Sequence, residues 1–222
     1  PSRQSLRVRV TLPEAYQDRV VTGAKRLITS WPELLLAAVG AYVGRMVGLE
    51  RVRVGLPLMN RVLPGVGARV GAGTVCTEVN VLPLTAVAAG SISAAIAWVH
   101  GEQEALRNNS VVRQEDLTRA LQRRLPGAQL FGPQVNIIPF DLGVTWVHPN
   151  GWAARGRIRN LAPGPVEDLT VTVRGAMGRG RPVVMELDGN PALYDRESLE
   201  QHCNRLVAFI DAFARADEET DP

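Results

Sequence analysis

Side chains able to move protons or attack carbonyls are few and scattered in this chain. Its three histidines, His100, His148 and His202, stand far apart, and no HExxH or GxSxG frame is present. His100 falls at the expected end of a helix just before Gly101, where a histidine meets terminal carbonyls. His148 precedes the turn residues Pro149, Asn150 and Gly151. His202 shares no helical face with Glu200 or Cys203. The two cysteines, Cys76 and Cys203, are too few for a disulfide framework and lack a second ligand cluster for zinc, so they read as buried thiols. Asp141 and Asp168 are the acids best placed to matter, although each adjoins a turn or strand start that an aspartate commonly caps.

Amide side chains are better placed. Residues 54–84 read as a buried strand, a long Gly-rich loop, and a second strand stopped by proline. The segment Val79-Asn80-Val81-Leu82-Pro83-Leu84 is echoed by Val135-Asn136-Ile137-Ile138-Pro139-Phe140. An asparagine on an aliphatic strand must find partners inside the fold or face a cavity. Period-two alternation puts Glu78 and Asn80 on one strand face and Thr77, Val79 and Val81 on the other. That polar face is either a channel wall or a solvent-facing side. The loop carries Gly65, Gly67, Gly71 and Gly73 but no following Lys-Ser or Lys-Thr pair, which removes a phosphate-loop reading.

The elements that must hold these residues follow from periodicity. Leu6, Val8 and Val10 alternate with Arg7, Arg9 and Thr11 as in a half-exposed strand. Helices are expected over 14–28 and 32–47, the second with Ser30 and Glu33 in a capping box and Pro32 in its first turn. A strand is expected over 52–58, helices over 91–107 and 113–124, and short strands over 144–147, 153–159, 169–173 and 183–187. The last group suggests hairpins, parts of which project from the body. A closing helix over 196–216 has Leu199, Cys203, Leu206, Ile210 and Phe213 at helical spacing and Asp195 as its cap. The order gives a mixed α/β layer fold.

Composition narrows the function. With 222 residues, 45% hydrophobic and 21% charged, the chain can build a large core. No run of apolar residues is long enough for a membrane span, and 1–10 has no signal core, so a cytoplasmic protein is expected. The net charge is +3 and the basic residues are dispersed without interleaved aromatics, which argues against nucleic-acid binding.

Four segments, taken in order, resemble the C-terminal half of nonribosomal peptide synthetase condensation domains. They are VGLPLMNR (54–61) with EVNVLPL (78–84), LFGPQVNIIPFD (130–141), PVEDLTVTV (165–173) and LDGNPALYDRESLEQHCNRL (187–206). The resemblance implies one subdomain over 1–222 with half of a chloramphenicol acetyltransferase-like fold: a mixed sheet flanked by helices, with a projecting hairpin. It implies a substrate tunnel shared with an N-terminal half, and amide formation between a carrier-bound acyl or aminoacyl donor and an aminoacyl acceptor. The family's HHxxxDG motif belongs to that other half, and this sequence has no adjacent histidines. The chain alone is therefore expected to be inactive.

Carried over by position, Asn80, Glu78, Asn136, Asn60 and Arg61 would line the tunnel. Gly55, Pro57 and Gly73 would shape the backbone of the strand and loop. Trp146 and Trp152 would sit on a hairpin that crosses to the other half, within 144–160. Asn109, Arg113 and Glu115 fall where the family has a further motif, but NSVVRQE lacks its Gln and Tyr. Phe140 matches the strand end after Asn136. The alternative for Asn80 and Asn136 is satisfaction of neighbouring backbone groups. No cofactor is expected to bind directly, because phosphopantetheine would arrive on peptidyl or acyl carrier proteins. The implied partners are those carriers, the N-terminal half and an adjacent adenylation domain, with neither nucleic acid nor membrane. Other readings are half of an epimerisation or cyclisation domain, a coenzyme A acyltransferase of the same fold, or a non-catalytic docking half-domain.

Overall fold

The computed structural model describes residues 5–59, 79–140, 144–156 and 166–222, without the side chains of residues 144, 145 and 155. Asn60, Arg61, Gly73, Glu78, Cys76 and Asp141 lie outside the described residues.

Alternating apolar residues build one sheet. It contains β1 (Leu6–Leu12), β2 (Arg51–Met59), β3 (Val79–Val87), β4 (Gln134–Ile138), β7 (Leu169–Arg174) and β8 (Val183–Gly189) in the order β1-β8-β7-β4-β2-β3. The pairs β2/β4 and β4/β7 are parallel, and the others are antiparallel. The strands β5 (Val144–Val147) and β6 (Ala153–Gly156) form a separate two-stranded sheet.

Helices α1 (Glu14–Arg26), α2 (Trp31–Val47), α3 (Ile92–Asn108) and α5 (Arg196–Arg215) supply the rest of the core. Val52, Val54, Leu84, Ala86, Val135, Val171, Val173, Met185 and Leu187 project from the sheet into that core. The mixed sheet, its helical layer and the separate hairpin are the architecture expected from the sequence.

Local chemistry explains α2. Ser30 Oγ accepts the Glu33 N–H, Glu33 accepts the Ser30 N–H, and Pro32 occupies the first turn. The helix is buried from Leu34 to Tyr42. It lies so close to β3 that a Cβ on Gly40 would overlap the Ala86 methyl. Gly48 ends it at φ 69°, a conformation that glycine adopts without steric penalty. Asp195 caps α5 as expected by accepting the Ser198 N–H at 2.7 Å.

Two local expectations fail for physical reasons. Pro83 does not stop its strand, because β3 runs through it to Val87. The Gly55 N–H points to Pro133 on the β4 side, so Gly55 and Pro83 form a non-hydrogen-bonded pair. The missing N–H of Pro83 therefore falls on the outer edge of an edge strand, where no ladder bond is lost. Pro57 has the parity of Gly55, and its missing N–H likewise points away from β3. Helix α3 protects this edge: Thr85 N–H donates to Glu102 at 2.9 Å, and Trp98 Nε1 donates to the Thr85 carbonyl at 3.1 Å.

The second failure is His100. Helix α3 continues through Gly101 to Asn108, so His100 meets no terminal carbonyls. Its Nδ1 lies 2.9 Å from Glu33 Oε1 and ties α3 to the capping box of α2. Burial of Ile96, Val99 and Gln103 on either side carries the helix past a glycine that costs roughly 1 kcal/mol.

Candidate functional site

Strand alternation sends the second set of residues to the sheet face opposite the helices. Across β1, β8 and β7 that face holds an ion-pair row. Asp188 is 2% exposed and accepts both Nε (2.7 Å) and Nη2 (3.0 Å) of Arg7. Glu186 takes Arg174 at 2.9 Å and has Arg9 Nε at 3.8 Å. The Asp188 hydrogen bond holds the Arg7 guanidinium above its ordinary pKa, against the opposing effect of burial. A buried carboxylate needs this bidentate partner, since alone it would be strongly destabilising.

The same face continues through Thr172, which pairs with Asn136 on β4, to Gly55 on β2. Asn136 is half-buried there, and its amide has no partner among the described residues. Gly55 is covered by the ring of Phe131, whose nearest carbon would lie 2.5 Å from a Cβ at position 55. Close ring packing, not an unusual backbone angle, is what this glycine permits.

Asn80 belongs to the other side. The unbroken β2/β3 register gives it the parity of Leu82, Leu84 and Ala86, which face the helices. The two asparagines of the echoed strands therefore do not share a wall. Asn80 Nδ2 donates to the carbonyls of Ser110 (3.1 Å) and Val112 (2.7 Å). Its Oδ1 accepts the N–H of Gln114 at 3.2 Å, the first residue of α4 (Gln114–Arg124). For Asn80, the neighbouring-backbone alternative is the one present in this geometry.

Around it, Asn109 Nδ2 donates to the Ala105 carbonyl at the end of α3, at 2.8 Å. Arg113 and Glu115 form an exposed ion pair at 3.5 Å. Helix α4 then walls a cleft of about 490 Å³ with Gln114, Thr118 and Gln122, facing Phe131, Glu167 and Asn190. Asn190 shapes the far side by donating to the Glu167 carbonyl and accepting the Ala192 N–H. Asp168 is structural as well. It accepts Tyr194 Oη at 2.8 Å, and its carbonyl accepts the Asn190 N–H. Burial first, and then Asp168, push the Tyr194 phenol above its ordinary pKa.

The β5/β6 hairpin turns at His148-Pro149-Asn150-Gly151. The Gly151 N–H donates to the His148 carbonyl at 2.9 Å, and Gly151 has φ 86°. The His148 and Trp152 rings stack at 4.9 Å and 9°. Trp146 and Trp152 are 57% and 56% exposed, and Val147 and Phe140 are exposed beside them in sequence. Large apolar side chains grouped in this way mark a surface built for contact.

The histidines remain apart. His100 pairs with Glu33 and His148 stacks on Trp152, while His202 Nδ1 lies 2.9 Å from Tyr42 Oη. Cys203 is buried, and burial pushes its thiol pKa up, away from nucleophilic use. Among the described residues no group of three or more His, Cys, Asp or Glu could hold a metal. Among them, too, no single helix is long and apolar enough to cross a membrane. The sequence reading missed the Arg7–Asp188 pair, although the alternation of Arg7 and Arg9 on a strand could have suggested acidic partners. It also missed Phe131, which only tertiary contact places over Gly55.

No protein-family model matches the chain. It is 30% identical over 211 residues to the dimodular nonribosomal peptide synthase of Bacillus subtilis, covering 94% of this chain and 8% of that protein. It is 33% identical over 215 residues to the isonitrile lipopeptide synthase of Streptomyces coeruleorubidus, covering 95% and 14%. Among solved structures, the first condensation domain of the calcium-dependent antibiotic synthetase superposes with a TM-score of 0.79 at 25% identity, over 98% of this chain and 47% of that one. The starter condensation domain of rhizomide synthetase gives 0.67 at 27% identity, over 99% and 48%. The chain thus spans about half of these solved domains and a small part of the curated relatives. By fold and by sequence it is similar to one half of a nonribosomal peptide synthetase condensation domain, as the resemblance implied.

Proposed function

We propose that this chain is the second half of a condensation domain and builds one side of a tunnel in which a carrier-bound amine attacks a carrier-bound thioester. The amine nitrogen bonds to the thioester carbon and gives up a proton. The carbon–sulfur bond breaks, and the thiol of the donor arm leaves protonated. Such a reaction demands orientation of two tethered reactants and exclusion of water more than a strong protein nucleophile. That demand fits a chain in which His100, His148 and His202 stand apart on separate partners and Cys203 is buried.

The observation that carries this reading is the exposed apolar hairpin, Trp146, Val147 and Trp152, in a chain that matches half of a two-part domain. A crossing hairpin would bury these side chains against the N-terminal half, where the HHxxxDG motif would supply the polar catalytic group. Asn136 would orient a substrate amide; its position on the sheet face opposite the described helices, and an amide that can donate and accept, support that role. Asn60 and Arg61 would join it, as the resemblance implies. Carrier proteins would bring the phosphopantetheine arms, and an adenylation domain would load the acceptor.

Single-turnover transfer between two loaded carriers in the full-length protein tests this reading. Asn136→Ala should slow amide formation at least about tenfold, the equivalent of one directed hydrogen bond, with the fold intact. Unchanged transfer would remove Asn136 from the reaction.

A further inference from the structure

Helix α4 is an unusual member of this fold, because none of its residues is buried. Its N-cap residue, Arg113, makes no side-chain capping bond. A helix of 11 residues whose one covered face, Gln114, Leu117, Thr118 and Leu121, is only half-buried is marginal by propensity alone. Side-chain bonds hold it at both ends. At the C-terminal end Gln122 does this, accepting the Gly127 N–H and donating to the Ala128 carbonyl. At the N-terminal end the bonds come from a different strand, through Asn80.

We infer that Asn80 is the positioning residue of α4, a remote cap that clamps the 109–113 turn to β3 and fixes the α4 wall of the cleft. Three backbone groups meet this one amide. Both Nδ2 protons go to carbonyls of the turn, and Oδ1 takes the Gln114 N–H, one of the first-turn donors that have no partner within the helix. Within the turn itself, Ser110 N–H reaches the Arg107 carbonyl at 3.4 Å and Val112 N–H reaches the Asn109 carbonyl at 3.0 Å, so the Asn80 bonds are what tie it to β3. Gln114 follows directly, and Thr118 and Gln122 lie one and two turns further along the same side of α4. Releasing Asn80 therefore frees one whole wall of the cleft while leaving the buried core of α2, α3 and α5 in place. A residue of this kind acts on whatever passes the cleft through the helix that it holds.

Two substitutions separate the parts of the clamp. Asn80→Ala removes all three bonds. Asn80→Asp keeps an acceptor for the Gln114 N–H and adds negative charge at a helix N-terminus, which is favourable. It also turns oxygen toward the Ser110 and Val112 carbonyls, which is repulsive. Amide hydrogen exchange in the full-length protein reads both ends.

In Asn80→Ala, exchange should rise at least tenfold across the Ser110, Val112 and Gln114 amides and along α4, with no change in α1, α2 or α5. In Asn80→Asp, the Gln114 amide should regain protection while Ser110 and Val112 stay fast. Two results would overturn the inference. One is exchange that rises equally in all helices, which would make Asn80 a general stability residue. The other is a Gln114 amide as fast in Asp as in Ala.

Discussion

Gly55 is the position where the site's packing makes its sharpest demand. A Cβ added there would lie 2.5, 2.7 and 2.9 Å from three carbons of the Phe131 ring. Carbon pairs rest at about 3.5–4.0 Å, so the ring would have to withdraw by roughly 1 Å. Overpacking of this kind costs about 1–3 kcal/mol. Against it, alanine gains roughly 0.5–1 kcal/mol over glycine within a strand. The expected net loss for Gly55→Ala is therefore about 0–2.5 kcal/mol.

Phe131→Leu removes the crowding ring atoms, and alone it should lose about 1 kcal/mol of partly buried area. The double variant should then be more stable than the sum of the two losses by about 1 kcal/mol or more. Urea denaturation of the four proteins measures this cycle. Additivity within about 0.5 kcal/mol would refute the claim that Phe131 is what keeps position 55 a glycine. The cycle matters for function because Phe131 also lines the cleft, so a displaced ring reshapes it.

Other outcomes can be checked on the same protein. Ile28 has φ 51°, is 93% exposed and sits just past α1, where the Thr29 N–H reaches back to the Ala24 carbonyl. Replacing it by Asn, which tolerates this conformation, should stabilise by about 1 kcal/mol in a denaturant titration. Glu33 is a pH-dependent contributor. Burial would raise its pKa, but hydrogen bonds from His100, Ser30 and Thr29 outweigh it and hold the carboxyl down at about 2. Its stabilisation is therefore full above the ordinary carboxylate range and lost as pH falls through about 2. Glu33→Gln keeps the capping box and removes the charge. It should lower stability by about 1 kcal/mol at pH 7, a value discounted for the exposure of His100, and the gap should close toward pH 2 in urea midpoints. Pro83→Val should stay within about 0.5 kcal/mol of the parent in the same assay, because the edge of β3 gains only a solvent-facing N–H.

Much of the fold was legible because its signals are local. Ser30, Pro32 and Glu33 announce α2, and Asp195 caps α5 where the sequence puts it. The alternation in 6–11 gave β1. What failed depended on partners that a sequence does not print. Pro83 looks like a stop until its strand is known to be an edge, paired so that the absent N–H faces outward. His100 looks like a helix-end residue beside Gly101 until α3, which runs to Asn108, is seen to pair it with Glu33. The echo of Asn80 and Asn136 suggested one channel wall, but each strand's orientation in the sheet decides which face its asparagine takes. Asn80 met backbone on the helix side, and Asn136 faces the open side. The exposure of Trp146 and Trp152 came from the family resemblance, which puts them on a hairpin that crosses to the other half, and not from their spacing.

The central claim is that this chain is one half of a unit whose other half completes the site. It is tested most directly by supplying the two halves of the parent domain as separate chains, with a loaded donor and a loaded acceptor carrier. The intact mass of the acceptor carrier is then followed. The account predicts an amide-linked product on the acceptor carrier only when both halves are present, with Trp146 and Trp152 protected from oxidative footprinting in that mixture alone. Product formed by the upstream half without this chain, or tryptophans that stay equally accessible when product forms, would contradict it.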